Sequence, residues 1–328
     1  MTRGKVIRRA DEISVDWLSG LLGQPVRHLQ ATTQSSNWSS QVLLSVELED
    51  GTSRALRLKI CSGPTFGRSE VDYYTVDYVG LANAPLVRCH DARYEANVGY
   101  HVLLDDLAAT HRDRRGASPT LEYGLAVAEA LAPLHAHRWQ SGPAPEVAAL
   151  DRYFDEIRPG VEAIERATGM HFRARFEAHE HAMRERWSEP SGMSLLHGDL
   201  NPTNILTPAA AEHPVYFLDR QPFDWSLTYG VAAYDLAYFL VPWWPSELRH
   251  VHEEAIVRRW YDALDQPDYA WAQAQADWDL CVEQCLHVPF EWCSKPDTAA
   301  SMRWLWEMQL ARIQHALSTR DNPSRTSA

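Results

Sequence analysis

The octapeptide HGDLNPTN, His197 to Asn204, combines residue types that can transfer a phosphoryl group. An aspartate is followed five residues later by an asparagine, which gives the spacing H-x-D-x-x-x-x-N. This spacing is typical of the catalytic loops of phosphoryl-transfer sites, because both side chains must reach one reacting phosphate. Asp199 would accept or orient the proton of an attacking hydroxyl group, and Asn204 would hold a magnesium ion on the phosphates.

The same octapeptide could be a polar turn between two strands, since Asn201-Pro202 is a turn dipeptide in any protein. Its surroundings argue against this interpretation. Strand-like segments precede it at residues 194–196 and follow it at residues 205–206, and a second strand-like run, VYFLD, ends in an acid. The sequence therefore predicts a strand–loop–strand unit whose loop carries the chemistry.

The acid at the end of VYFLD is Asp219, fifteen residues past Asn204. An antiparallel hairpin over residues 205–218 would return Asp219 to the neighbourhood of the catalytic loop. An amide and a carboxylate at adjacent strand ends suit Mg²⁺, which prefers oxygen ligands. Asp219 could instead cap a turn at the strand end. The presence of Asp199 and Asn204 in the preceding loop favours the interpretation that Asp219 binds a metal.

Lysine is scarce in this chain, which contains only Lys5, Lys59 and Lys295. Lys59 lies in the strand-like run LRLK, where its ammonium group would meet the α- and β-phosphates of a nucleotide. Glu70 follows eleven residues later, in the first turn of the next predicted helix, and would pair with Lys59. The alternative is a strand lysine that extends its head to solvent and an acid favoured by a helix amino terminus. The scarcity of lysine favours the functional interpretation.

The first hundred residues favour a small sheet with an inserted helix. Residues 14–22 predict a short helix capped by Ser14. Runs 42–48 and 54–60 alternate apolar and polar residues around Asp50-Gly51, which predicts a β-hairpin. Residues 69–81 predict a helix and residues 99–104 a further strand.

From Ser118-Pro119 onward the pattern becomes helical, with Ser118 as the predicted cap and the proline in the first turn. Segments 151–187, 246–285 and 297–318 have helical periodicity, and residues 194–219 form a strand-rich island among them. The predicted fold class is α+β. We place a small β-rich nucleotide-binding lobe at residues 1–107 and a larger helical lobe, with the catalytic loop and the acceptor site, at residues 108–328.

These motifs together resemble the aminoglycoside phosphotransferase and choline kinase branch of the protein-kinase-like superfamily, and most closely the ecdysteroid-kinase-like bacterial phosphotransferases. The resemblance covers nearly the whole chain. The matching segments follow the order of that family: Lys59, SEVDYY (69–74), VLLDDL (102–107), HGDLNPTN (197–204), FLDRQ (217–221) and YDLAYFL (234–240).

The resemblance implies a bilobal kinase-like fold that uses ATP and Mg²⁺. It implies that Asp199 is the catalytic base and that Asn204 and Asp219 hold Mg²⁺. It also implies that Lys59, held by Glu70, binds the phosphates. The backbone of Asp105, Asp106 and Leu107 would contact adenine. Asp235 and His197 would support the structure of the catalytic loop.

Three features depart from protein kinases. The loop TTQSSNWSSQ (32–41) contains no glycine, whereas protein kinases cover the phosphates with a glycine-rich loop. Arg57 lies two residues before Lys59 on the same strand face, where protein kinases have a small residue, so that the choice between ATP and GTP stays open. Asp219 is followed by Arg220-Gln221, where related kinases usually have an aromatic residue, and Arg220 could contact phosphate, substrate or merely Asp224.

The sequence favours a kinase that acts on a hydroxyl group of a small metabolite or antibiotic. Only fifteen residues separate Asp219 from Asp235 and no Ala-Pro-Glu occurs between them, which leaves no room for the peptide platform of a protein kinase. A nucleotide-binding pseudokinase or regulatory module without phosphotransfer remains the alternative. The sequence does not identify the acceptor molecule, because enzymes of one fold act on many different substrates.

Net charge and composition limit the classes of molecule that this protein is expected to bind. A net charge of −13 argues against nucleic acid and anionic lipid as partners. The same charge, with acids beside tryptophans at 224–225 and 291–292 and a Trp-Trp pair at 243–244, suggests a cationic acceptor. Five scattered cysteines form no disulfide framework and no zinc spacing, which indicates a reducing cytoplasm. Nothing in the sequence indicates the oligomeric state.

Overall fold

The structure is a computed structural model that describes residues 5–35, 39–141, 147–210 and 214–321. Its strands are β1 (Val26–Ser35), β2 (Ser40–Leu48), β3 (Ser53–Ser62), β4 (Cys89–Glu95), β5 (Gly99–Asp105), β6 (His111–Arg112), β7 (Met193–Leu195), β8 (Ile205–Pro208), β9 (Tyr216–Phe217) and β10 (Tyr229–Val231). Its helices are α1 (Val15–Leu22), α2 (Ser69–Asp72), α3 (Leu121–His137), α4 (Val147–Thr168), α5 (Arg173–Arg186), α6 (Ala233–Leu240), α7 (Ser246–Leu264), α8 (Trp271–Gln284), α9 (His287–Cys293), α10 (Pro296–Ser301) and α11 (Arg303–Asp321).

Two units divide the chain. The first comprises Met1–Asp113 and Leu206–Asp224, and the second comprises Arg114–Ile205 and Trp225–Ala328. The segment that leads to and past Asp219 therefore packs with the amino-terminal residues, although it follows the catalytic motif in sequence. The assignment of nucleotide binding to residues 1–107 and of acceptor binding to residues 108–328 stays a prediction. Within the described ranges, no helix has the length and apolarity to cross a membrane.

An antiparallel sheet with the strand order β1-β2-β3-β5-β4 forms the centre of the first unit. The predicted hairpin is confirmed: β2 pairs with β3 in register, and Gly51 adopts the positive φ of 84° that the turn requires. Alternation places Leu56 and Leu58 on the face that packs against Leu18 of α1 in a buried core. Arg57 and Lys59 consequently lie on the opposite face.

The helix predicted over residues 69–81 is shorter and less regular than expected. α2 ends at Asp72 and continues as one π-helical turn over Tyr73–Asp77. Tyr73 packs edge-on against Tyr74 and Tyr78, so the wide turn accommodates three adjacent rings. The chain leaves the helical conformation at Tyr78, and Gly80, with a φ of 89°, continues the turn that follows.

Strands β6, β8 and β9 form a small three-stranded sheet in the order β6-β8-β9. This order confirms that the strands on either side of residues 209–215 are neighbours, as the predicted hairpin requires. Residues 36–38 of the glycine-free loop at 32–41 lie outside the described residues. Its flanks are regular, since β1 continues to Ser35 and β2 begins at Ser40.

The second unit is helical apart from the antiparallel pair β7 and β10. Helix α3 begins two residues later than a Ser118 cap would place it. Its cap is Thr120, which has an extended backbone and whose side chain accepts a hydrogen bond from the Tyr123 N–H. Helix α6 is buried along its whole length, so its polar side chains, Asp235 among them, must find partners inside the protein.

Candidate active site

The predicted catalytic loop connects β7 to β8 in the second unit. Gly198 adopts a φ of 77°, a conformation that glycine tolerates best, and it turns the chain immediately before Asp199. The side-chain oxygen of Asn201 accepts hydrogen bonds from the N–H (2.9 Å) and the hydroxyl group (2.6 Å) of Thr203, which closes the loop as an Asx turn. The loop is thus held by its own polar side chains before any ligand is considered.

Three donors hold the carboxylate of Asp199. The Tyr238 hydroxyl group (2.8 Å) and the Asn201 amide (2.9 Å) both donate to Oδ1, and the Asn204 amide donates to Oδ2 at 3.0 Å. The Asn204 amide also donates to the main-chain oxygen of Asp199 at 2.9 Å. Asn204 is therefore oriented by its nitrogen, and its amide oxygen, which accepts from Thr203 at 3.3 Å, has the lone-pair capacity to ligate a cation.

Asp235 holds the backbone of this loop from α6. Its carboxylate accepts hydrogen bonds from the N–H groups of His197 (2.7 Å) and Gly198 (2.8 Å). His135 Nε2 lies 3.1 Å from the same carboxylate, and the Trp260 indole N–H donates to His135 Nδ1 at 3.1 Å. Since Nδ1 accepts, the proton of this imidazole is on Nε2 and points at Asp235.

Asp235 is ionised despite its complete burial. Burial alone would raise its pKa, but the hydrogen bond from His135, the nearby histidines and the Gly198 N–H outweigh burial and hold the pKa of Asp235 below its usual value. Asp235 therefore fixes the loop backbone at His197 and Gly198, and the supporting roles of Asp235 and His197 in catalysis stay predictions.

Glu291 of α9 is a second acid near Asp199 in the same unit. Burial and the charge of Asp199 raise the pKa of Glu291 to about 8, although Lys295 acts in the opposite direction. Tyr153 and Trp225 lie with their ring centres 6.3 Å apart, and both belong to this unit. Glu291 therefore titrates at about pH 8, and it lies close enough to Tyr153, Tyr234 and Tyr238 for its charge to raise the pKa of each phenol.

The tryptophans predicted to line the acceptor site differ in their surroundings. Trp244 is core, stacked on Tyr123 and edge-on to Phe239. Trp243 lies 6.4 Å from the Tyr238 ring, which places it close to Asp199 through that tyrosine. Asp224 belongs to the first unit and Trp225 to the second, so they do not form a pair within either unit.

The first unit brings Lys59, Glu70 and Asp219 together. Lys59 Nζ lies 2.7 Å from Glu70 Oε2 and 3.1 Å from Asp219 Oδ1. Burial would lower the pKa of Lys59, but the carboxylates of Asp219 and Glu70 outweigh it and raise the pKa far above its usual range. The Tyr100 hydroxyl group donates to Glu70 as well. Lys59 is thus a permanently charged group fixed between two acids.

Asp219 has a φ of 56°, a left-handed conformation that aspartate tolerates better than most residues. Arg220 is buried behind it, pairs with Asp77 and lies over the Tyr73 ring at 5.7 Å. The hydroxyl group of Ser69 donates to the main-chain oxygen of Gln221 at 2.6 Å. These contacts tie the Asp219 segment to the helix that carries Glu70. Contact of Arg220 with phosphate or substrate stays a prediction.

The segment predicted to meet adenine already uses part of its backbone. The N–H of Asp105 donates to Arg88 (3.1 Å) and that of Asp106 donates to Ala55 (2.9 Å). The carbonyl group of Leu107 accepts from Thr110 and His111. Arg57 Nη2 lies 3.6 Å from Asp106 Oδ1. The positive charge of Arg57, at a position where protein kinases have a small residue, is therefore paired with an acid of this segment.

Several residues of the site could not be identified from sequence motifs. The spacing of Tyr238 could have identified it, since it lies three residues after Asp235 and therefore on the same face of the helix. Asn201 was read only as a turn residue. His135 and Trp260 gave no signal, because they lie on helices far from the motif in sequence.

Comparison with solved structures identifies the fold. The chain superposes on an aminoglycoside-3'-phosphotransferase of type VIII with a TM-score of 0.51 and 17% identity, covering 82% of this chain and 97% of that chain. For a GDP and kanamycin complex of APH(2")-IIia the TM-score is 0.50 with 12% identity, covering 93% and 99%. A microcompartment-associated aminopropanol kinase gives 0.49 with 16% identity, covering 93% and 98%.

No protein-family model and no curated protein matches the sequence. The structural likeness nevertheless shows that the chain has the kinase-like fold of small-molecule phosphotransferases. The predicted α+β class, with a β-rich amino-terminal part and a helical carboxyl-terminal part, is confirmed.

The raised pKa of Glu291 predicts a pH-dependent stability difference. The folded-state pKa of about 8 lies above the unfolded value of 4.5, so the native protein keeps a proton that the unfolded chain has lost. Stability should therefore fall as pH rises from about 4.5 to about 8. Glu291→Gln should remove this loss and raise Tm by about 2 °C or more at pH 8, while the two proteins melt alike at pH 5. Equal Tm values at both pH values would contradict the assignment.

Proposed function

We propose that this chain is an ATP-dependent kinase that transfers the γ-phosphate to a hydroxyl group of a small molecule. The observation that carries the proposal is the Asp199 carboxylate, held by Tyr238, Asn201 and Asn204 on a loop whose backbone is tied to Asp235. A carboxylate fixed in this way suits a base that accepts a hydroxyl proton during transfer. The kinase-like fold supports the same conclusion.

Asn204 and Asp219 are the proposed magnesium ligands. One amide oxygen and one carboxylate fit Mg²⁺, which takes few ligands from the protein and fills the others with phosphate and water oxygens. The ion would neutralise charge on the phosphates as the reaction proceeds.

Lys59 is the proposed partner of the α- and β-phosphates. Two acids keep it charged, and Glu70 holds it in place at 2.7 Å. Because Asp219 also contacts Lys59, one carboxylate links the phosphate-binding lysine to the proposed metal site. This linkage supports a joint action of the three residues on one nucleotide.

Adenine is proposed to meet the backbone of Asp105 to Leu107. The N–H groups of Asp105 and Asp106 already donate to Arg88 and Ala55, so recognition would depend on the other backbone groups of the segment. Arg57, on the same face as Lys59 and 3.6 Å from Asp106, would cover the base with its planar guanidinium group.

The proposed acceptor carries a positive charge or an amine. The support comes from Glu291, an acid among aromatic residues whose charge is disfavoured by burial and by Asp199. A bound ammonium group would relieve both effects, since it pairs with carboxylates and is attracted to aromatic faces.

A screen of ATP consumption against hydroxylated metabolites and antibiotics tests the proposal, with Asp199→Asn as the matched variant. The amide keeps the shape of the side chain but cannot accept the proton, so kcat should fall about 10²–10⁴-fold while MgATP affinity is nearly unchanged. A variant that keeps more than about a tenth of the wild-type kcat would remove Asp199 from the role of base. A wild-type protein that binds MgATP but consumes none with any acceptor would favour the pseudokinase.

Asp219→Asn should weaken MgATP binding about tenfold or more, equivalent to about 1.4 kcal/mol. Asparagine tolerates the positive φ at this position and keeps one oxygen ligand, so the loss reports the missing charge and not a strained backbone. Titration calorimetry with MgATP measures the effect, and Asn204→Ala should weaken binding less because it removes no charge. Unchanged affinity and magnesium dependence in Asp219→Asn would mean that the ion is held elsewhere.

A cationic acceptor should show a KM that rises with ionic strength, because salt screens its pairing with Glu291. Glu291→Gln should raise that KM and remove most of the salt dependence, with kcat less affected. Kinetics of an acceptor amine and its uncharged analogue, measured side by side, provide the comparison. If the best acceptor is uncharged and its KM is independent of salt, the proposed charge is wrong.

A further inference from the structure

Tyr238 is the partner of Asp199 that comes from α6. Its hydroxyl group donates to Asp199 Oδ1 at 2.8 Å, and its side chain is buried. It lies three residues after Asp235 and so on the same face of the helix. One buried helix therefore holds the catalytic loop twice, through the backbone at His197 and Gly198 and through the side chain of Asp199.

We propose that Tyr238 is a positioning residue that fixes the orientation of the Asp199 carboxylate for phosphoryl transfer. The proposal rests on the proposed function. Asn201 and Asn204, which also donate to this carboxylate, belong to the loop itself and move with it. Tyr238 instead fixes the carboxylate relative to α6. The same helix holds the backbone of the loop through Asp235. Rotation of the carboxylate relative to the loop would break this hydrogen bond.

The phenol is suited to the task because it stays protonated. Burial and the charge of Asp199 raise the pKa of Tyr238 well above its usual value. Tyr238 is therefore a donor over the whole pH range in which an enzyme works. Its loss should weaken the orientation of the Asp199 carboxylate.

The aromatic ring of Tyr238 is held independently of its hydroxyl group. Its centre lies 6.1 Å from the Tyr234 ring and 6.4 Å from the Trp243 ring. Phenylalanine at this position keeps these ring contacts, so Tyr238→Phe removes the hydrogen bond with little change in packing. Tyr234→Phe is the matched control, since it removes a buried hydroxyl group one turn earlier and leaves the Tyr238–Asp199 hydrogen bond in place.

The kinetic test uses MgATP and the best acceptor from the screen. In Tyr238→Phe we expect kcat to fall about tenfold, equivalent to about 1.4 kcal/mol, with KM for MgATP unchanged. KM for the acceptor should change much less than kcat, a split that a purely structural role would not produce. Tyr234→Phe should keep the wild-type kcat and KM values. Equal kinetics in the two variants, or a loss in Tyr238→Phe that lies in KM and not in kcat, would overturn the proposal.

A spectroscopic test needs no turnover. The Raman doublet of Tyr238, obtained as the difference between wild type and Tyr238→Phe, reports whether the phenol donates a strong hydrogen bond. We expect a donor signature that is lost in Asp199→Ala, and a signature unaffected by that substitution would overturn the proposal. A protein that shows the hydrogen bond but phosphorylates no acceptor would instead overturn the proposed function and leave Tyr238 a structural contact.

Discussion

The buried carboxylate of Asp235 is the constraint on which the site in the second unit depends. A buried charge is tolerated only when it is paired and hydrogen-bonded, and removal of its partners costs about 3–5 kcal/mol. Asp235 meets this demand with His135 and with the N–H groups of His197 and Gly198. The helix cannot bury its acid without fixing the loop, so stability and the shape of the catalytic loop have a single physical origin.

A comparable charge constraint organises the first unit. Lys59, Glu70 and Asp219 come from a strand, a short helix and a strand end that are distant in sequence, and each is the partner that makes burial of the others acceptable. Arg220 adds a second pair, with Asp77, that fastens the Asp219 segment to the helical turn beyond Glu70. The strained φ of Asp219 persists because these contacts determine it.

Local features and the pairing of Lys59 with Glu70 could be predicted from the sequence, whereas contacts made by residues outside the recognised motifs could not. Alternation in β2 and β3 and the Asp50-Gly51 turn specify the hairpin because both signals act over a few residues. The π turn after Asp72 depends on how neighbouring tyrosine rings pack, and periodicity does not report that. The contacts of His135 and Trp260 with Asp235 and with each other depend on helices brought together only in the folded chain. For the same reason the hydrogen bond of Tyr238 to Asp199 was not expected, although its spacing from Asp235 was visible.

The central claim is that Asp199 serves transfer of the γ-phosphate to a hydroxyl group. Phosphorus NMR of a reaction containing the protein, MgATP and the best acceptor follows that phosphate directly. We expect the γ-phosphate signal to be replaced by a phosphomonoester signal of the acceptor with wild-type protein, and to persist with Asp199→Asn at equal MgATP occupancy. Inorganic phosphate as the only product, or equal ester formation by both proteins, would contradict the account.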